Sequence, residues 1–114
     1  MSRDYKLSFD DILDSIKKIE KYTSDFTLDE FINDDKTFDA VIRNFEIIGE
    51  ASQNIPLAIQ DKYTNIAWRE IKGMRNILIH EYFGVDYKVV YKTIKEFIPI
   101  LKISIQKILR DSIN

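Results

Sequence analysis

The sequence predicts an all-α protein, an up-and-down bundle of four to five helices. Apolar residues recur at three- and four-residue spacing through most of the 114 residues, and no segment needs the alternating pattern of a β-strand. Apolar residues make up 45% of the chain, enough to cover the inner faces of such a bundle. No internal repeat or low-complexity segment divides the sequence, so we expect residues 1–114 to form one domain.

The first third of the chain is predicted to hold one long helix and one short helical turn. Apolar residues at helical spacing predict a helix over about 8–24, with Ser8 as its N-cap. Thr27 is followed three residues later by Glu30, which is the form of a capping box. We therefore expect a short turn of helix to follow Thr27 and to end near residue 32.

A second long helix is expected over about 36–54, because its apolar positions recur at helical spacing and Pro56 follows its end. Gly49 lies on the buried side of this helix, where the missing side chain lets another helix come close. Pro56 suits the first position of a helix and predicts a short turn through residue 60. Residues 63–65 then offer a cap for the next helix.

A third long helix is predicted to start near Trp68 and to end at Gly84, since glycine is frequent just past a helix C-terminus. Asp86 can cap a last helix that runs to about Arg110. Pro99 falls inside this last helix and cannot donate the usual backbone hydrogen bond. We therefore expect a kink or a break there.

Charge is distributed unevenly along the chain. The net charge is −2 overall, but it is −5 over residues 1–39, −1 over residues 40–86 and +4 over residues 87–114. The small total argues against a protein whose whole surface attracts nucleic acid. Five basic residues near the C-terminus share one side of a helical plot and form either a phosphate-binding face or a solvated surface: Lys88, Lys92, Lys95, Lys102 and Arg110.

Composition also bears on compartment and cofactors. The chain has no cysteine and one histidine, which excludes a disulfide framework and leaves little basis for a metal centre. We expect no metal and no other cofactor. The N-terminus lacks the apolar core of a signal peptide, and no run approaches the ~20 apolar residues of a membrane span. These features predict a soluble, cytoplasmic protein that does not contact a membrane.

The third long helix carries an unusual group of polar residues. Its predicted buried stripe contains an arginine among apolar residues, with Met74 and Leu78 beside it: Trp68, Ile71, Arg75, Ile79 and Tyr82. Asn76 and His80 are four residues apart and share a neighbouring stripe. A guanidinium that stays charged and an imidazole that titrates near neutrality are complementary groups for phosphate chemistry.

Each of these side chains also has a structural interpretation. His80 can be a solvated or packing residue, and Tyr82 can pack its ring with the hydroxyl at the rim. Arg75, if buried, requires a carboxylate partner. We expect Glu46 or Glu50 of the second long helix to be that partner and to orient Arg75.

The pattern Arg75-Asn76-x-x-x-His80-x-Tyr82 resembles the Arg-x4-His-x-Tyr signature of HEPN domains, and specifically of the HepT-like toxins (the DUF86 group). The resemblance covers nearly the whole chain. It includes the stretch 40–51, with its Gly-Glu-Ala ending, and the lead-in to the motif from Trp68. It implies a HEPN-like helical bundle and a metal-independent endoribonuclease that acts as the toxin of a type VII-like toxin-antitoxin system.

Such a ribonuclease uses the substrate's 2′-hydroxyl as the nucleophile. Arg75 and His80 are then the predicted catalytic residues, with Arg75 holding phosphate oxygens and His80 moving a proton. Asn76 can orient His80 or the phosphate, and Tyr82 can donate a hydrogen bond from the rim. Because the reaction uses two proton-transfer groups and the chain has one histidine, we expect a two-fold symmetric homodimer with both copies of His80 in one cleft.

The resemblance also implies a partner, a minimal nucleotidyltransferase antitoxin. In some members of the group the antitoxin transfers AMP to the motif tyrosine, which is Tyr82 here. Two other functions compete with the toxin ribonuclease. One is a non-catalytic module that binds nucleotide or RNA phosphate with Arg75 and His80 and acts through the antitoxin, and the other is a helical dimerisation protein whose polar residues are structural.

Overall fold

The architecture was determined from a computed structural model, which describes residues 3–81 and 84–113. These residues form seven α-helices and no strand, in the following order: α1 Arg3–Thr23, α2 Leu28–Ile32, α3 Asp35–Gln53, α4 Leu57–Lys62, α5 Trp68–His80, α6 Tyr87–Glu96 and α7 Ile98–Ile113. The predicted all-α class is confirmed. The helix count exceeds four to five because two short turns count as helices and the last predicted helix is divided.

Helix α3 lies at the centre of the bundle. It packs against α1 on one side and α5 on another, while α7 packs on α1 and α6 packs on α7. The core between them is built from large apolar side chains that water does not reach, among them Phe9, Ile16, Phe45, Ile48, Ile71 and Ile105. Since α5 rests on this core through α3, the polar residues of α5 have a rigid support. No helix in residues 3–81 or 84–113 has the length and apolar character needed to cross a membrane.

Helix α1 begins at Arg3, five residues before the predicted start. Ser8 is buried inside the helix, with 6% of its surface exposed, so its predicted role as N-cap is wrong. Tyr5 packs edge-on against Phe9, with ring centroids 6.4 Å apart, which extends the buried side of α1 upstream. The apolar pattern therefore continues through a serine that resembles a cap in the sequence.

The predicted capping box of α2 is confirmed. The Thr27 hydroxyl accepts from the Glu30 amide at 3.2 Å, and the Thr27 amide donates to Oε1 of Glu30 at 3.0 Å. The hydrogen bond from the Thr27 backbone lowers the pKa of the Glu30 carboxyl. Helix α3 is capped in a similar way, because Asp34 accepts from the amide of Thr37 at 2.9 Å, and that bond lowers the pKa of Asp34.

The third long helix starts at Trp68 as predicted, but its predicted cap and its predicted C-terminal end are wrong. The N-cap of α5 is Ala67, which makes no side-chain cap, and not a residue of 63–65. The start is fixed instead by the Trp68 ring nitrogen, which donates to two backbone carbonyls of the preceding segment. The C-terminal end comes at His80, four residues before Gly84, and the Glu81 cap has a φ of −133°. No left-handed glycine is used, since no described residue has a positive φ.

The break predicted at Pro99 is confirmed, and so is the cap at Asp86. The Asp86 carboxylate accepts from the amide of Lys88 at 2.8 Å at the start of α6. Phe97 separates α6 from α7, and Pro99 is the second residue of α7. The proline's missing N–H falls in the first turn, where an amide has no partner within the helix, so the break makes the proline tolerable.

The break also divides the predicted basic face between α6 and α7. Lys102 donates to Glu20 of α1 at 2.8 Å, and Lys92 lies 3.9 Å from Glu96. The ammonium of Lys95 lies 5.2 Å from the centre of the Tyr91 ring. These cations therefore do not form one continuous free surface, and several have partners within the chain.

Asn44 on α3 offers a test of the buried packing. Its amide nitrogen donates to the Ala40 carbonyl at 2.8 Å, while its buried Oδ1 has no partner among the described residues. Asn44→Leu removes this unsatisfied acceptor and should raise the free energy of unfolding by about 1 kcal/mol in urea titrations. The exposed change Gln53→Leu on the same helix is the control and should have little effect. A less stable Asn44→Leu protein would contradict this account.

Candidate active site on helix α5

The site is organised by a close crossing of α3 and α5. Gly49 of α3 is buried, and a Cβ placed on it would lie 2.6 Å from Cβ, 2.9 Å from Cγ and 3.0 Å from Cδ of Arg75. The aliphatic stem of Arg75 therefore lies directly across Gly49. The prediction that this glycine lets another helix come close is confirmed, and the element that approaches is the one that carries the motif.

Arg75 has no carboxylate partner within the described part of the chain. No ion pair within 4.0 Å involves it, and its Nε is shielded from water without a hydrogen-bond acceptor. Glu46 pairs instead with Arg43, at 3.7 Å, and Glu50 is exposed. The expected pairing of Arg75 with Glu46 or Glu50 is thus absent, because Arg43 lies one turn from Glu46 on the same helix. A shielded donor without an acceptor costs about 1–3 kcal/mol, so the Nε of Arg75 is an unsatisfied polar group within the described residues.

Asn76 and His80 lie on the exposed side of α5. They are one turn apart, a rise of about 6 Å, and His80 is the last residue of the helix. Among the described residues no side-chain hydrogen bond joins Arg75, Asn76 and His80 to one another. The helix therefore presents the amide and the imidazole to solvent, and it holds the guanidinium stem against α3.

The buried side of α5 is rotated from the predicted stripe. Ile71 and Leu78 are buried, whereas Ile79 is 47% exposed. At 100° per residue Ile79 lies between Arg75 and Asn76, so an apolar side chain stands within the polar face. The prediction that Ile79 is buried is wrong for the single chain.

Tyr82, the predicted supporting residue and AMP acceptor, lies outside the described residues. Its role stays a prediction from the motif.

The described residues contain no group of three or more His, Asp or Glu side chains placed to hold a metal ion. The chemistry that the described residues offer is thus that of a guanidinium, an amide and an imidazole.

A groove of about 550 Å³ adjoins the Gly49 crossing. It is bounded by α3, α4 and the first half of α5, with the following lining: Gly49, Ser52, Gln53, Leu57, Gln60, Trp68, Arg69 and Lys72. Two of these residues are cations and none is a carboxylate. Sequence reasoning missed Arg69 and Lys72, although their spacing to Asn76 and His80 places all four on one side of a helix.

A second cleft, of about 490 Å³, lies on another side of α5 against α6. Its lining is mostly apolar and includes Met74, Ile77 and Val89, with Glu70 as the one carboxylate. Ile77 and Val89 are more than half exposed. This cleft holds neither Arg75 nor His80, so it is distinct from the candidate site.

The sequence is similar to a family of ribonucleases and to several named proteins. The family described as "Ribonuclease HepT-like" matches residues 12–108. A Methanocaldococcus jannaschii protein named "Gamma-glutamylcyclotransferase and putative RNase" is 46% identical over 111 residues, which are 97% of this chain and 50% of that protein, so the chain spans half the length of this relative.

Other relatives match along nearly their whole length. The Thermococcus cleftensis protein named "Probable ribonuclease HepT" is 47% identical over 108 residues, which are 95% of this chain and 98% of that protein. No solved structure matches the chain at a significant level. The resemblance found in the motif is confirmed by the match over residues 12–108, and this chain belongs to the HepT-like ribonuclease family.

Proposed function

We propose that this protein is the toxin of a toxin-antitoxin system, a metal-independent endoribonuclease that cleaves RNA by attack of a 2′-hydroxyl. One observation carries the proposal: the shielded Nε of Arg75 has no acceptor among the described residues, and Arg75 lies on the helix that presents His80 to solvent. A charged donor fork without a carboxylate partner suits a phosphate that arrives with a substrate. The family and the ribonuclease names of its relatives support RNA as that substrate.

The proposed reaction is a transesterification within the RNA. The 2′-oxygen attacks the adjacent phosphorus and loses its proton to a base, while the bond from phosphorus to the 5′-oxygen breaks and that oxygen gains a proton. The products are a 2′,3′-cyclic phosphate and a 5′-hydroxyl. Arg75 stabilises charge on the phosphate oxygens, His80 transfers a proton, and Asn76 orients one of these groups.

A homodimer supplies the second proton-transfer group. With one histidine in each chain, a two-fold axis near the end of α5 brings two copies of His80 to one cleft. The exposure of Ile79, between Arg75 and Asn76 on the polar face, supports this arrangement. An isoleucine at that position loses its contact with water if a second copy covers it.

The interface gives a direct test. Ile79→Glu should convert a dimer to a monomer in sedimentation experiments and lower RNA cleavage at least tenfold, because it places two like charges at the axis. The fold should survive, since Ile79 is already 47% exposed. Ile103→Glu on α7 is the matched control, at a position that is 67% exposed. If the Ile79→Glu protein stays dimeric and active, α5 does not form the dimer interface.

The proposed partner is a minimal nucleotidyltransferase antitoxin that neutralises the protein, by AMP transfer to Tyr82 or by covering the cleft. In the transfer, the Tyr82 oxygen attacks the α-phosphorus of ATP, pyrophosphate leaves and the phenolic proton passes to solvent. Tyr82 is two residues from His80 in the sequence. A phosphodiester on Tyr82 adds negative charge two residues from His80 in the sequence and competes with RNA for Arg75 and His80.

The function is tested by expressing the protein with and without its nucleotidyltransferase partner. Expression alone should arrest growth and generate RNA fragments with 2′,3′-cyclic phosphate ends, and co-expression should prevent both. The purified protein should produce the same ends in the presence of EDTA.

The competing function is a non-catalytic module that binds RNA phosphate, and the lack of side-chain hydrogen bonds among Arg75, Asn76 and His80 within the described residues favours it. This module would bind RNA without cutting it, so RNA that stays intact in EDTA would support the module and overturn the nuclease.

A further inference from the structure

We infer that the groove beside Gly49 binds the phosphate backbone of single-stranded RNA, several nucleotides from the bond that is cleaved. This inference rests on the proposed function and names the residues that position the substrate, Arg69 and Lys72. The groove has a volume of about 550 Å³, carries both cations in its lining and has no carboxylate there. A negatively charged chain lying in it therefore meets attraction and no like charge from the lining.

The two cations continue the row of exposed polar residues that ends at the proposed catalytic histidine. The successive separations between Arg69, Lys72, Asn76 and His80 are three, four and four residues, so the four side chains follow one side of α5. From Lys72 to His80 the helix rises about 12 Å, and a stacked strand advances about 3.4 Å per nucleotide. The groove thus lies roughly three nucleotides from the scissile phosphate.

Neither cation is engaged elsewhere in the described chain. Both side chains are exposed, and none of the ion pairs within residues 3–81 and 84–113 uses Arg69 or Lys72. By contrast, Lys102 on α7 is held by Glu20 at 2.8 Å. Binding to the RNA backbone requires cations without a carboxylate partner, because each cation must exchange its counterions for a phosphate.

The walls of the groove are fixed before any ligand binds. The Trp68 ring nitrogen donates to the carbonyls of Gln60 and Tyr63, at 3.2 and 3.0 Å. The Gln60 amide in turn donates to the carbonyls of Ser52 and Ile55, at 3.2 and 3.0 Å. These bonds tie α4 and the start of α5 to the end of α3, so binding a strand here requires little reordering.

Binding is tested in a cleavage-deficient parent, His80→Ala, with a labelled 12-nucleotide single-stranded RNA and a series of salt concentrations. Adding Arg69→Ala and Lys72→Ala should raise Kd at least tenfold at low salt. It should also reduce the slope of log K against log salt by about 1.4, which is two contacts at about 0.7 each. Thermal denaturation verifies that each variant is folded.

Two further double variants distinguish binding in the groove from a general effect of positive charge. Lys17→Ala with Lys18→Ala removes two exposed cations from α1 and should change Kd less than twofold. The exchange Arg69→Lys with Lys72→Arg keeps both charges and should restore binding. An unchanged Kd and slope in the groove variant, or an equal loss in the α1 control, would overturn the inference and leave the groove to another anionic partner such as an acidic protein.

Cleavage by the wild-type protein, measured alongside, distinguishes the two proposals. If the wild type cleaves RNA and the groove variant binds as its parent does, only the groove inference fails. If the wild type cuts nothing and the groove variant still loses binding with the reduced salt slope, RNA binding in the groove holds, while the nuclease function and the distance from a cleaved bond both fail.

Discussion

Replacing His80 with alanine should lower the rate of RNA cleavage about 10²–10⁴-fold, the range for loss of a group that transfers a proton in the transition state. Growth arrest in the absence of the antitoxin should disappear with it. The fold should be unaffected, because His80 is exposed and is the last residue of α5. Rates are measured on a defined RNA, and circular dichroism verifies the helix content.

The neighbouring change Glu81→Ala is the control, since Glu81 is also exposed and follows His80 directly. It removes a side chain at the same end of α5 and should leave cleavage within a few-fold of the wild type. Tyr82→Phe should also keep growth arrest, while it removes the oxygen that AMP transfer needs. A His80→Ala protein as toxic as the wild type would refute the catalytic assignment and support the phosphate-binding module.

Local signals in the sequence predicted the elements that depend on local contacts. The capping box at Thr27, the cap at Asp86 and the break at Pro99 are each decided within one turn of helix, and the structure confirms all three. The start of α1 and the end of α5 were wrong. Ser8 is overridden by packing further upstream, and Gly84 adopts no left-handed conformation that would require glycine.

In the candidate site, too, the features that depend on local spacing could be predicted and those that depend on helix packing could not. The row of Asn76 and His80 on one face follows from helical spacing alone, and Gly49 could be predicted as a close approach from its place on a buried stripe. The lack of a carboxylate partner for Arg75 among the described residues could not be predicted, because it depends on how α5 is rotated against α3 and on the competing pair of Glu46 with Arg43. The groove was missed since its walls come from three helices.

Gly49→Ala should lower the free energy of unfolding by about 1–2 kcal/mol, because overpacking costs about 1–3 kcal/mol and the gain in helix propensity offsets up to about 1 kcal/mol. The new Cβ would meet Cβ of Arg75 at 2.6 Å, and that atom is fixed to the helix backbone. Helix α5 must therefore move as a body. Because the motif moves with it, cleavage should fall about 10²-fold, as measured beside chemical denaturation.

The same substitution at Gly73 is the matched control. Gly73 lies within α5, and nothing comes within 4 Å of a Cβ placed there, so Gly73→Ala should stabilise the protein by about 1 kcal/mol. If the free energy of unfolding falls with Gly49→Ala and rises with Gly73→Ala, the close crossing of α3 and α5 is the cause of the loss. Equal gains at both positions would show that α5 moves away from α3 without cost.

Two substitutions at position 75 show which atoms of the arginine side chain oppose the Gly49→Ala substitution. Arg75→Ala removes Cγ and Cδ but keeps the Cβ that would lie 2.6 Å from the new methyl group. Gly49→Ala should therefore still destabilise the Arg75→Ala background and should cost nothing in an Arg75→Gly background. If the penalty instead vanishes with Arg75→Ala, the flexible stem carries the contact, and α5 is held in place by the apolar contacts of Ile71 and Leu78.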